Sequence, residues 1–400
     1  MTYLVQLFLI LFLTKIAAHF SVKLNMPSVI GELLVGILIG PAIFNWIEPN
    51  TFINYFSELG VIVLMFIAGL EGDLKLLIKY WAPALTVATL GVIVPTGTAF
   101  LLCHNMFNFS IKASVFMGLV LSATSVSITI QVLKEMNKLN TPEGAIICGA
   151  AVADDIICVI LLGICTNIFG NKENNTSIIK MIIPMILFFV IVVLIGKYIV
   201  PKFLSIFDDL NASESDTSGA MILCFGTAAL ATAMGMSDVL GAYFAGLAIS
   251  ETKYKDRLAS KIEPIGYAVF IPVFFVSIGL DISFKGMDKD LLFIILLILT
   301  AILGKQIGCG IGAKFFNLNW TQANIVGAGM VSRGEMALVV ANVALSSKLI
   351  DQNHYTAMIV VTVITTLIAP LILKVFITKA DSKSKKQSLK QDKVSSMLEK

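Results

Sequence analysis

Two neighbouring carboxylates, Asp154 and Asp155, stand in the stretch Gly149-Ala-Ala-Val-Ala-Asp154-Asp155-Ile-Ile-Cys158, and they are the only charged side chains between Glu143 and Lys172. The centre of that span is near residue 157. A carboxylate at the middle of a membrane helix costs about 2.5–3.5 kcal/mol. Packing asks for no such cost twice in adjacent positions, so the pair reads as part of an ion or proton pathway. The rival chemistry is an intramembrane aspartyl protease, which needs two carboxylates about 3 Å apart on one water. Adjacent helix positions point about 100° apart. Neighbours on one helix diverge and cannot aim at one water.

Three further stretches put polar groups at the same depth. Lys305 is the one interior charge between Asp290 and Lys314. A lone buried ammonium needs a carboxylate partner, and Asp154, Asp155 and Glu335 all lie at matching depth. One aspartate can pair with Lys305 while the other faces an ion cavity. The span between Lys112 and Lys134 reads Ser122-Ala-Thr124-Ser125-Val-Ser127-Ile-Thr129-Ile-Gln131 at its centre. Those hydroxyls can bond back to their own helix or line a polar site. A third stretch, Gly327-Ala-Gly329-Met-Val-Ser332-Arg333-Gly334-Glu335, centres near residue 334. Arg, Gly and Glu at that depth suit a broken helix whose backbone lines a cavity. Arg333 and Glu335 are supporting charges of this core, as a mutual ion pair or otherwise. Glu32 lies inside its segment, and Glu71 and Asp73 at a segment end. His19, His104 and His354 are near segment ends and show no metal-ligand pattern.

The elements that must hold these groups follow from composition. The 400 residues are 57% hydrophobic and 14% charged, with net charge +3; soluble chains carry roughly 25% charge. This is an all-α polytopic membrane protein. No basic stripe with interleaved aromatics points to nucleic acid. The six cysteines all lie in apolar segments without CxxC spacing and read as small core residues. The first apolar segment lacks a basic leader and a cleavage site, so it reads as a retained helix. About thirteen spans are expected, at 2–22, 28–45, 56–74, 82–104, 112–133, 143–169, 178–206, 216–235, 237–251, 262–281, 290–315, 321–348 and 353–377.

Alternate connections carry the basic residues. One set holds Lys23, Lys75, Lys79, Lys134, Lys138, Lys197, Lys202, Lys253, Lys255, Arg257, Lys261, Lys314 and the Lys-rich tail. The other holds only Lys112, Lys172, Lys180, Lys285, Lys289 and Lys348. The first set is therefore cytoplasmic, with the N-terminus outside and the C-terminus inside. A repeat lies beneath this pattern. Val29-Ile-Gly31-Glu-Leu-Leu-Val-Gly36 matches Val239-Leu-Gly241-Ala-Tyr-Phe-Ala-Gly246, Gly69-Leu70-Glu71 matches Gly279-Leu280-Asp281, and Ser122 matches Ser332, all 210 residues apart. That offset spans seven helices, an odd number. The copies therefore have inverted topology, a construction principle of secondary transporters.

Together the Ala153-Asp154-Asp155 helix, the polar fifth span, the Gly-Leu-acid repeats, Lys305 and Arg333-Gly334-Glu335 resemble the monovalent cation:proton antiporter-2 family, most of all its NapA-type bacterial sodium/proton antiporters. The resemblance runs over about residues 2–378. It implies an NhaA/NapA-like fold of inverted repeats with two crossing broken helices, the fifth and twelfth. It implies a dimerisation domain at 1–79 and 213–285, a core ion-translocation domain at 80–172 and 286–378, and a linker helix at 173–212. Residues 379–400 would form a disordered cytoplasmic tail. Carried over, Asp155 is the ion-binding carboxylate, Asp154 is the partner of Lys305, and Thr124 and Ser125 lie in the unwound stretch beside the ion.

The implied protein is not an enzyme and has no cofactor beyond its transported ions. It would exchange sodium or lithium for protons across the bacterial inner membrane as a homodimer, electrogenically, in pH homeostasis. Asp155 would hold a metal cation or a proton, never both. Potassium-efflux relatives carry Gln-Asp and a cytosolic nucleotide-binding domain. The Asp-Asp pair and the short tail favour the sodium type without nucleotide regulation. A potassium/proton antiporter of the same fold and a sodium-coupled symporter of an organic solute are the alternatives.

Overall fold

The computed structural model describes residues 2–169, 178–281, 291–346 and 349–398, with backbone alone at 166–167, 178, 335 and 384–398. Lys172, Lys285, Lys289, Lys348 and the Glu335 side chain lie outside the described residues, as do the domain boundaries at 172–173 and 285–286. Among the described residues the chain is helical throughout. In chain order the helices are α1 (Tyr3–Lys23), α2 (Ser28–Ile39), α3 (Thr51–Glu71), α4 (Leu74–Lys79), α5 (Trp81–Leu101), α6 (Ile111–Ser122), α7 (Val126–Glu135), α8 (Pro142–Phe169) and α9 (Ile178–Leu194). They continue with α10 (Val200–Asp208), α11 (Ser215–Ala233), α12 (Asp238–Ser250), α13 (Lys255–Ile265), α14 (Ile271–Leu280), α15 (Leu291–Lys314), α16 (Trp320–Gly329), α17 (Glu335–Ser346) and α18 (Gln352–Leu398).

Nine helical runs among the described residues are long and apolar enough to cross a membrane. Three shorter apolar helices, α2, α12 and the run Met336–Ser346, accompany them. Each of the thirteen expected spans is occupied by one or more of the eighteen described helices, the 216–235 span by α11, which is not among the nine runs. The spans that fall short of full length do so for visible reasons. The α2 and α12 helices have 12 and 13 residues, about 20 Å at 1.5 Å per residue. The α16 and α17 helices are two halves of one broken span. Large apolar side chains such as Phe8 and Phe12 on α1 and Ile183 and Ile186 on α9 stand exposed on the outside, as a hydrocarbon solvent allows.

Local chemistry sets several helix starts. Asn50 accepts from the Ile53 amide at 3.1 Å and Ser110 from the Ala113 amide at 3.2 Å, each satisfying an amide the helix leaves open. Asn319 and Gln322 close a reciprocal capping box at the start of α16.

The helices pack in two groups. One joins α1–α3 with α11–α14; the other joins α5–α8 with α15–α18. The α9 and α10 helices touch both α8 and the α11–α12 pair, bridging the groups. The α4 helix, within the 1–79 part by sequence, packs on α5 and α8.

The 210-residue offset reappears in the helix starts: Ser28 and Asp238, Pro142 and Gln352. It also reappears in close backbone approaches. A Cβ on Gly36 would stand 2.1 Å from Val276 O, and one on Gly246 2.2 Å from Phe66 O. Gly31 lies against Ala17 O, and Gly241 against Thr227 O. In each case the partners are themselves 210 residues apart, so contacts as well as sequences are duplicated.

One expectation is corrected. Residues 379–398 continue α18 as helix instead of forming a disordered tail. That stretch holds no Gly or Pro. Extending an existing helix needs no new nucleus, which is the costly step for a short polar segment alone.

Candidate functional site

The fifth and twelfth spans both break at mid-depth. The backbone leaves helix at residues 123–125, between α6 and α7, and at 330–334, between α16 and α17. Ala123 and Ser125 are extended there, with ψ of 138° and 112°. The two breaks lie against each other. The Ser125 amide donates to Ser332 O at 2.9 Å, and Ser332 Oγ donates to Ser125 O at 2.5 Å. Thr129 Oγ1 donates to Gly329 O at 2.7 Å and lies 3.1 Å from Ser332 Oγ. Gly334 makes the crossing possible, because a Cβ there would stand 2.5 Å from the Ser125 Cβ.

A break leaves carbonyls without helical donors, and these carry the negative end of a half-helix dipole. A buried cation meets each of them. Lys305, on α15, donates to Ser122 O at the end of α6 at 2.5 Å. Arg333 donates to Val331 O beyond α16 and to Ala301 O at 2.8 Å. Thr366 Oγ1 on α18 donates to Arg333 O at 2.5 Å, tying the break down.

Lys305 also meets its carboxylate. Its Nζ donates to Asp154 Oδ1 at 2.9 Å, with the side chains 0% and 1% exposed. The next residue turns the other way. Asp155 is partly exposed and lines two small cavities against α12, with Val239, Leu240, Tyr243 and Ser237 among their walls. The adjacent aspartates thus face different neighbours, Lys305 within one helix group and the boundary with the other group. They cannot form a dyad on one water.

Two buried oxygens at this crossing have no hydrogen-bond partner among the described residues: Thr124 Oγ1 and Asp154 Oδ2. They are acceptors suited to a cation, a proton or a water. Ser125 is held in the break through its backbone. Arg333 Nε likewise has no partner among the described residues. No group of three or more His, Cys, Asp or Glu side chains that could hold a metal ion occurs among the described residues.

Residue types did not mark three parts of this arrangement: Gly91, the Ala301 carbonyl and Thr366. For Thr366 a signal existed. Thr365 stands 210 residues beyond Asp155, and Thr366 is its neighbour. Gly91 on α5 carries none, since its role is to be small. A Cβ there would lie 2.5 Å from Cys309 Sγ and 3.5 Å from Lys305 Nζ. Gly91→Ala is expected to destabilise the protein by about 1–3 kcal/mol through overpacking and to slow transport. Adding Cys309→Ala removes the nearest clash and should restore both. Thermal melting and flux measurements on the two variants check this, and a double variant no better than the single one refutes it.

Comparison with known proteins covers nearly the whole chain. A family model described as "Sodium/hydrogen exchanger, transmembrane" matches residues 8–379. A Na(+)/H(+) antiporter of Enterococcus hirae is 43% identical over 93% of this chain and 97% of that protein. The Na(+)/H(+)-K(+) antiporter GerN of Bacillus cereus is 43% identical over 92% of this chain and 95% of its own. Among solved structures, the sodium proton antiporter MjNhaP1 from Methanocaldococcus jannaschii superposes with a TM-score of 0.68. That match covers 93% of this chain and 94% of that one at 17% identity, a likeness of fold.

Proposed function

The chain belongs to the sodium/hydrogen exchanger family, and on that premise we propose that it exchanges sodium or lithium for protons by competition at Asp155. The observation that carries this is the division of the adjacent aspartates. Asp154 is neutralised by Lys305 inside the core. Asp155 faces the cavities between the helix groups, where an ion can arrive and leave. One carboxylate that takes either a cation or a proton gives obligatory exchange, since release of one admits the other. The unpartnered Thr124 hydroxyl and the backbone of the 123–125 break complete the oxygen set for the cation.

The groups have distinct roles in this reading. The α5–α8 and α15–α18 group is the moving core. The α1–α3 and α11–α14 group is the fixed scaffold, and a second copy of the chain would pair through it. The α9 and α10 run links them. Alternating access moves the core along the scaffold, so Asp155 meets one side of the membrane and then the other. The duplicated helix starts and glycine contacts support inverted-topology repeats, which give two related faces to the site. Lys305 carries a second transported proton, released when a cation draws Asp154 away, and this makes exchange electrogenic. The basic connections support a cytoplasmic face at Lys23, Lys75, Lys134 and Lys253 in a bacterial inner membrane. Arg333 holds the 330–334 break through the Val331 and Ala301 carbonyls.

Potassium is a second cation to consider, because one 43%-identical relative is named for it. Proteoliposomes with an imposed pH gradient, given sodium, lithium and potassium in turn, decide the matter. The expected result is dequenching by sodium and lithium. Dequenching by potassium alone assigns the other branch, and a response that requires an organic solute overturns exchange.

A further inference from the structure

A set of polar contacts crosses the boundary between the two helix groups at a single end of the molecule. Three residues in the last turns of α7 contribute most of it. Gln131 Oε1 accepts from the Tyr267 hydroxyl at 3.0 Å. Lys134 Nζ lies 2.9 Å from Glu71 on α3 and 3.4 Å from Glu263 on α13, and 4.7 Å from the centre of the Tyr267 ring. Glu135 accepts from the amide of Ser28 at 3.1 Å and from its hydroxyl, at the first turn of α2. Lys374 of α18 donates to Asn25 O in the α1–α2 connection. Asn140 donates to Glu71 O at 2.9 Å.

Position gives these contacts a consequence. A cleft of about 620 Å³ opens at this end, lined by Ser28, Gln131, Lys134, Glu135, Tyr267 and Lys374 among others. The cavities beside Asp155 are separate from it. Ile130 lines one of those cavities, and the next residue, Gln131, lines the cleft. One turn of α7 thus divides the opening from the ion-binding carboxylate, and the polar contacts pin that turn to α2, α3 and α13.

We propose that Lys134, with Glu71 and Glu263, and Glu135, with Ser28, form a latch that closes the Lys134-bearing face of the transporter and must open in each cycle. The proposal rests on the exchange reading above, in which the α7-bearing group moves against the other. Its chemistry suits a reversible closure. Lys134 Nζ is buried, but Glu71 and Glu263 are 28% and 29% exposed and Glu135 is exposed on the cleft wall, so water reaches the acidic side of each contact and weakens it relative to a fully buried pair. Several weak contacts sharing one turn of helix still close that face together.

A latch of this kind biases a two-state equilibrium. A site competent in only part of the population has its apparent affinity reduced by that fraction. Lys134→Gln favours the state open at the Lys134 face. Sodium KM should then fall when sodium is offered at that face and rise when offered at the other, by about two- to five-fold each. Everted and right-side-out vesicles give the two values. Lys134→Arg should return both towards the original. A residue that merely stabilises the fold would lower activity at both faces without opposed KM changes, and that result overturns the latch. Should Lys134→Gln fail to fold, Glu263→Gln removes one partner and must move the two KM values in the same opposed sense.

A second readout does not depend on transport. In a chain whose six cysteines are replaced, Ala151→Cys puts a thiol on the wall of the Asp155 cavity. An impermeant maleimide added at the Lys134 face should label it several-fold faster when Lys134 is Gln. Unchanged labelling overturns the latch even if exchange is intact. Faster labelling in a protein that exchanges no cation keeps the latch and overturns the exchange reading.

Discussion

Asp155→Asn is expected to leave sodium-dependent proton flux at background in proteoliposomes, with the protein still folded and its melting temperature close to that of the parent. The two aspartates differ in what each touches. Asparagine keeps the size of the side chain and one oxygen. It loses both the negative charge that draws a cation and the carboxylate that takes a proton. No other described carboxylate shares those cavity walls, so no neighbour stands ready to replace it. The fold has little at stake, because Asp155 is partly exposed at the boundary between the helix groups, while the buried ion pair with Lys305 belongs to Asp154. The decisive measurement is flux over a range of sodium concentrations and pH, beside melting of the same preparation. Retained exchange removes Asp155 from the role of ion carrier. A protein that loses flux only by unfolding says nothing of competition at the site, which is why both are measured on one sample.

Much of this arrangement can be traced to individual residues. The spans and their breaks were legible because lipid leaves no water to satisfy backbone groups. Polar runs such as Ser122–Gln131 and Ser332–Glu335 at mid-span therefore signal special backbone. The 210-residue offset was legible in glycines because close helix packing demands them at the same places in both copies, as Gly36 and Gly246 now show. The partner of Lys305 was not legible from residue types. Asp154, Asp155 and Glu335 all had the right charge and depth. The choice depends on the rotation of α8 about its axis, which is set by packing on α5 and on α16. The family resemblance named Asp154, and the geometry pairs it with Lys305 at 2.9 Å.

Other features were hidden for different reasons. Gly91 contributes by having no side chain, so nothing in its chemistry marks it. The carbonyls of Ser122, Val331 and Ala301 are backbone groups that every residue carries. They matter here only because the helices stop or approach at those points. The α7 contacts were half visible: Lys134 reads as an ordinary charge of a basic connection. Their partners come from connections far apart in sequence, and only the packing of α7 on α2 and α3 brings them together.

Lys305→Gln should have the largest effect on stability, and its consequences separate a structural role from a transporting one. The pair it breaks is 0% and 1% exposed. Removing one partner of such a pair strands the other charge and costs about 3–5 kcal/mol. The Ser122 carbonyl at the end of α6 loses its charged donor as well. The single variant is therefore expected to melt well below the parent. Asp154→Asn together with Lys305→Gln replaces the ion pair by two neutral amides that can bond to each other, and should recover most of that loss. Because interacting residues do not add, the difference between the double variant and the sum of the singles measures the coupling of the pair. Transport gives the second axis. If Lys305 carries a proton through the cycle, the stabilised double variant still binds cations at Asp155, but its exchange no longer responds to an imposed membrane potential. If Lys305 only neutralises Asp154 and caps α6, the double variant regains voltage-dependent exchange along with its stability. Melting and potential-driven flux on the same three proteins therefore distinguish a lysine that holds the crossing together from one that also moves charge.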